Sequence, residues 1–167
     1  MPPVTLDLKQ AVADTIKVNK LTSARVRITV AAGEGSPIPD PASCKSPTVL
    51  ITARDYQPPA EEIYDKGFKA VIASIRRNSE SPLSRLKTTN YLENILAKEE
   101  ATEKGADEAV FLNEHDLVAE ASMSNIFIVS EGVLKTPRVE TGILPGITRE
   151  TVLELAGVDN EGADGRF

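Results

Sequence analysis

Apolar residues recur along this chain with two different periods, and the switches between them mark the expected elements. Leu8, Val12 and Ile16 stand four apart between Asp7 and Asn19, with Lys9, Gln10, Asp14 and Lys17 elsewhere, the spacing of an amphipathic helix. From Ala24 to Val30 the period drops to two: Val26, Ile28 and Val30 alternate with Arg25, Arg27 and Thr29, which predicts a half-buried strand. Gly33 to Pro47 holds two glycines and four prolines, so an irregular exposed loop is expected there, carrying Cys44 as an inert thiol. The β-branched run Thr48 to Thr52 predicts a second strand, and Pro58-Pro59 interrupts the chain soon after it.

Glu61 to Lys66 predicts one helical turn closed by Gly67, and Lys69 to Ile75, rich in valine, isoleucine and alanine, predicts a buried strand. The polar stretch Asn78 to Ser84 reads as a loop leading to Lys87. Asn90 followed three residues later by Glu93 has the spacing of a capping box, with Leu92, Ile95 and Leu96 as the apolar face of a helix running to Gly105 and Glu100–Lys104 as a supporting pair. Strands are expected over Glu108 to Leu112, Leu117 to Ala121, Asn125 to Ser130 and Val133 to Thr136, mostly antiparallel because their connections are short. Thr148 to Ala156 predicts a last helix stopped by Gly157, and no closing element is recognisable over Val158 to Phe167.

Composition narrows the function classes. The 167 residues are 41% hydrophobic and 26% charged, an ordinary globular balance, and the net charge of −6 with interspersed signs argues against nucleic acid or an anionic membrane as partner. No apolar run approaches the roughly 20 residues of a membrane helix, so a soluble, cytoplasmic protein is expected. A single cysteine and a single histidine leave no internal disulfide and no cluster of soft metal ligands, and no metal is expected. His115, among Asn113, Glu114 and Asp116, reads as a structural turn residue.

Three segments carry candidate chemistry. Lys87 lies just ahead of a helix, where an amine can be aimed into a cleft, and Tyr91 lies four residues on; taken singly, a solvated lysine and a core aromatic explain them as well. Glu120 sits among Leu117, Val118, Ala119 and Ala121, where a carboxylate is either turned to solvent or buried against a cation. Ser122, Ser124 and Asn125 follow as turn residues or as a polar shell around a ligand. Gly142-Ile-Leu-Pro-Gly146-Ile147-Thr148 leads straight into a helix, an arrangement in which backbone amides can meet an anion.

In this order and spacing the segments resemble the fold-type IV pyridoxal-phosphate enzymes, the family of branched-chain and D-amino acid aminotransferases and aminodeoxychorismate lyase. Lys87-Thr-Thr-Asn-Tyr-Leu-Glu-Asn is similar to the motif of the Schiff-base lysine, and Gly105-Ala-Asp-Glu-Ala to the helix-to-strand passage after it. Glu120-Ala-Ser-Met-Ser-Asn125-Ile-Phe-Ile-Val resembles the segment whose glutamate contacts the pyridine nitrogen, and Gly142-Ile-Leu-Pro-Gly-Ile-Thr-Arg149 resembles the loop that binds the cofactor phosphate. The resemblance implies pyridoxal 5'-phosphate as cofactor. It implies Lys87 as the residue that holds it and then moves the substrate proton, and Glu120 as the group that keeps the ring nitrogen protonated. Tyr91 is implied at the ring oxygen, Leu144 on the ring face, and Gly146, Ile147 and Thr148 at the phosphate.

The implied fold is mixed α/β (α+β): part of a small N-terminal domain over 1–57 and the first part of a large pseudo-barrel, cofactor-binding domain over 58–167. The resemblance covers Leu6 to about Gly157, whereas family members carry further portions at both ends, so a longer homodimeric enzyme is expected. The implied reaction is transamination between an amino acid and a 2-oxo acid. Aminodeoxychorismate lyase, releasing pyruvate and 4-aminobenzoate, is the alternative within the family, and a non-catalytic truncated fragment the alternative outside it.

Overall fold

The computed structural model describes residues 4–157. The chain forms two compact units, Met1–Ala60 and Glu61–Phe167. In the first, helix α1 (Leu8–Val18) starts at Asp7, whose side chain accepts from the Gln10 amide at 3.0 Å. Strands β1 (Ala24–Ala31) and β2 (Thr48–Asp55) pair antiparallel in unbroken register, Ala24 opposite Asp55 and Ala31 opposite Thr48. The half-buried positions of β2 are Val49, Ile51 and Ala53, and α1 packs against that strand. The loop between the strands is not wholly irregular: Asp40 caps a single 3-10 turn, Pro41–Ser43, because proline at the first helical position needs no amide partner.

The second unit begins with α2 (Glu61–Lys66), closed by Gly67 at φ 69°. Its three-stranded sheet has the order β3 (Ala70–Ile72), β4 (Glu108–Leu112), β5 (Val118–Ala121), parallel between the first two and antiparallel between the last two. Strand β3 is shorter than its valine-rich sequence suggests and is not buried on both faces, Ile72 being half exposed, because it lies at the edge of the sheet. The alternation nevertheless continues beyond the strand. Ala73, Arg77 and Ser79 are buried, and the amides of Ala73 and Arg77 bond to the carbonyls of Val110 and Leu112 at 2.9 and 2.8 Å.

Helix α3 (Leu92–Glu103) packs on β4 through Ala97 and Ala101, both fully buried. The expected apolar face of Leu92, Ile95 and Leu96 is instead exposed, because the close helix-to-sheet contact admits only side chains of one carbon. The expected capping box is also absent. Tyr91 occupies the N-cap position without a side-chain bond, and Glu93 is drawn away to Arg77. Phe111 and Ile143, fully buried, complete the core with Ala73, Ala106, Ala109 and Ala119.

The remaining strands, β6 (Ile128–Ser130) and β7 (Val133–Lys135), form a hairpin whose turn residues Glu131 and Gly132 both have positive φ. Asn125 to Phe127 lie outside the strand expected there. Helix α4 (Ile147–Leu155) follows Gly146. The stretch Val158 to Phe167 lies outside the described residues.

Candidate active site

A bulge in the sheet accounts for the burial of Glu120. Val110 pairs with Ala121 and Leu112 with Val118, so two residues of β5, Ala119 and Glu120, stand opposite the single Phe111 of β4. The strict alternation that offered Glu120 to solvent is thereby broken, and Ala119, Glu120 and Ala121 are all buried. A carboxylate in that position needs a cation. Arg77 supplies it, with Nη2 donating to Glu120 Oε1 at 2.7 Å, and only 10% and 7% of the two side chains exposed.

Arg77 was not among the residues singled out from the sequence. Its signal was the period-two run Val71, Ala73, Ile75, Arg77, which sets an arginine at an inward position. Its guanidinium lies over the Phe111 ring, 4.5 Å from the centroid, and its Nη1 donates to Glu93 Oε2 at 3.3 Å. The second oxygen of Glu120 accepts the Leu144 amide at 3.0 Å. Burial pushes the Glu120 carboxyl above its usual range, against the opposing pull of the Leu144 amide, Arg77 and Lys87.

The Leu144 backbone is held at both ends. Its amide bonds to Glu120, and its carbonyl accepts from Asn125 Nδ2 at 3.0 Å, which assigns Asn125 to the site's framework. Gly146 leaves room for that asparagine: a Cβ there would stand 2.2 Å from Asn125 Oδ1. Helix α4 therefore begins at a residue with no side chain of its own to cap it. Arg149, 3% exposed, is tethered one turn in by Nη2 to the Pro137 carbonyl at 2.9 Å, and its Nε has no partner.

Lys87, Tyr91, Glu120, Leu144, Gly146, Ile147 and Thr148 all line one cleft of about 950 Å³ in the second unit. Lys87 Nζ lies 5.6 Å from the centroid of the Tyr91 ring. The approach to Lys87 is braced by side-chain bonds. Ser79 donates to Glu114 from its amide at 3.0 Å and its hydroxyl at 2.5 Å, and Ser84 Oγ donates back to the Asn78 carbonyl at 2.7 Å. Ser122, fully buried, and Asn94 fix the opposite wall, Asn94 Nδ2 donating to the Ser122 carbonyl at 2.6 Å. His115 is mostly exposed in the turn before β5, 3.7 Å from Glu114 and outside the cleft lining. Among the described residues no group of three or more His, Cys, Asp and Glu side chains is placed to hold a metal ion.

Over most of its length the chain is similar to known proteins. A Methanocaldococcus jannaschii protein named, provisionally, as a branched-chain-amino-acid aminotransferase is 39% identical over 157 residues, covering 93% of this chain and 54% of its own length. The aminodeoxychorismate lyase of Bacillus subtilis is 34% identical over 143 residues, covering 84% of this chain and 48% of its own. The crystal structure of the branched-chain amino acid aminotransferase from Thermobaculum terrenum, in its PLP-bound holo form, superimposes with a TM-score of 0.70 at 29% identity, over 90% of this chain and 50% of that one. The chain thus spans about half the length of the relatives it matches. The sequence profile of the amino-transferase class IV family matches residues 1–162, and with a fold-type IV architecture around the Lys87–Glu120 cleft this chain belongs to that family.

Proposed function

We propose that this chain contributes the cofactor-binding cleft of a pyridoxal 5'-phosphate-dependent aminotransferase, which moves an amino group between an amino acid and a 2-oxo acid. The observation that carries the reading is the convergence of an amine, a buried carboxylate and an uncapped helix start in one cleft, through Lys87, Glu120 and Gly146–Thr148. The groups fit such a cofactor. Glu120 has used one acceptor position on each oxygen, for Arg77 and for Leu144, and a carboxylate has about four, so a ring N–H can still be accepted. The start of α4 offers the amides of Ile147 and Thr148 and the Thr148 hydroxyl to a phosphate. The Thermobaculum terrenum relative, of the same fold, holds this cofactor.

When bound, the cofactor supplies an electron sink for negative charge developing at the substrate α-carbon. Lys87 would hold the cofactor through its amine and would accept the α-carbon proton as general base. Glu120 would keep a proton on the ring nitrogen, its burial making it a better proton partner than an exposed carboxylate. Tyr91 would serve the ring oxygen and Leu144 the ring face, from a backbone that Glu120 and Asn125 hold at both ends.

A lyase acting on aminodeoxychorismate is the second reading, favoured by the similarity to the Bacillus subtilis lyase. A homodimer in the cytoplasm completes the proposal, the exposed Leu92 and Ile95 on α3 offering apolar surface to a partner.

Incubation with pyridoxal phosphate followed by borohydride tests the site. A reduced adduct is expected on Lys87 and absent from Lys87→Ala; an adduct that survives in Lys87→Ala removes the assignment. Single turnovers then separate the two reactions. A 2-oxo acid formed stoichiometrically from an amino acid marks the transaminase, and 4-aminobenzoate formed from aminodeoxychorismate marks the lyase.

A further inference from the structure

One guanidinium serves two carboxylates at the floor of the cleft. Nη2 of Arg77 bonds to Glu120 of β5 at 2.7 Å and Nη1 to Glu93 of α3 at 3.3 Å. The environments of the two carboxylates differ sharply: the Glu120 side chain is 7% exposed and that of Glu93 61%. An Arg77–Glu120 pair alone is neutral, and a neutral pair holds a cationic ring nitrogen weakly. With Glu93 included, one cation faces two carboxylates, and the group carries a net negative charge.

We propose that Glu93 is a positioning residue of the site, taking up part of the Arg77 charge so that Glu120 keeps the proton affinity and negative charge needed to hold a protonated ring nitrogen. The inference rests on the cofactor reading above for its purpose, but the electrostatic relation belongs to the protein alone. The other charged or titratable groups lining the cleft are Lys87, Arg85 and Tyr91 from the approach to α3 and Arg149 from α4. Arg149 is tethered to the Pro137 carbonyl. Lys87 pulls on Glu120 in the same sense as Arg77, and Glu93 pairs with Arg77 alone of these two cations. Glu93 also forgoes the capping role its position offers at the start of α3, consistent with the ion pair being the stronger attraction.

The test is the titration of the Glu120 carboxyl in the full chain without cofactor, followed by NMR with carboxyl-labelled glutamate and identified by the signal lost in Glu120→Gln. In Glu93→Gln the Glu120 titration is expected to move to lower pH, and in Glu93→Asp, which restores the charge, to return toward the wild type. Superimposable Glu120 curves in wild type and Glu93→Gln would overturn the proposal. Because this readout needs no cofactor, it stands apart from the borohydride test, whose failure would remove the cofactor reading while leaving the charge-sharing result decided.

Discussion

Gly142 lies so close to Ser79 that a Cβ on the glycine would stand 2.8 Å from the Ser79 Cα. The two residues belong to the loop entering α4 and the loop leading to Lys87, so their contact sets the spacing between the segments that carry the amine and the helix start. Gly142 also has φ 90°, a conformation that costs a residue with a side chain about 1–2 kcal/mol. Gly142→Ala is therefore expected to destabilise the fold by more than ~2 kcal/mol in urea unfolding. Gly132→Ala, at φ 78° but with nothing within 4 Å of the added carbon, is the comparison and is expected to cost only the backbone strain, about 1 kcal/mol. Equal losses at the two positions would show that the contact with Ser79 contributes nothing.

Removing Arg77 strands a buried carboxylate. Arg77→Met is expected to cost on the order of 3 kcal/mol, the scale for breaking a buried ion pair from one side. Arg77→Met combined with Glu120→Leu should recover part of the loss, since the orphaned charge is then gone. Additive losses in the double variant, measured by denaturant unfolding, would contradict the pairing.

Glu120→Gln separates holding the cofactor from using it. The variant keeps Lys87 and the start of α4, so borohydride should still fix cofactor to Lys87, while single-turnover proton abstraction slows by about a hundredfold, the scale of one electrostatic catalytic group. Unchanged turnover would remove Glu120 from the chemistry.

Two carboxylates outside the cleft give the fold an acid limit. The Ser79 hydroxyl and amide hold Glu114 at about 2, from an ordinary 4.5, and Lys104 with the Ser74 amide and hydroxyl holds Glu100 at about 2. A depressed folded-state value means that the stability is present above pH 4.5 and is lost as the pH falls toward 2. Glu120, raised by burial, acts with the opposite sign, its contribution present in acid and lost as the pH rises. The urea midpoint of the wild type should fall across the acid window, and that of Glu114→Gln with Glu100→Gln should fall less. Identical slopes would show that these contacts do not persist in solution.

Much of the architecture was legible in the residues because periodicity is local. The four-residue spacing of Leu8, Val12 and Ile16 and the alternation of Val26, Ile28 and Val30 placed α1 and β1, and Gly105 and Gly157 marked two helix ends. The failures share one cause. On α3, pattern alone favoured Leu92, Ile95 and Leu96 as the inner face, whereas the separation of helix and sheet admitted Ala97 and Ala101. Glu93, a capping residue by spacing, found a stronger partner in Arg77, sixteen residues away in sequence.

The order of the Lys87, Glu120 and Gly142–Thr148 segments was a property of the sequence alone, and their joint resemblance to one family is what suggested a cofactor. Which way Glu120 points was not. A strand leaves that choice to its pairing, and here a bulge opposite Phe111 turns the carboxylate inward onto Arg77, a residue 43 positions away. The shared guanidinium, the two-ended grip on Leu144 and the Ser79–Gly142 contact likewise exist only in three dimensions, since hydrogen bonding and close packing join residues that no local period connects.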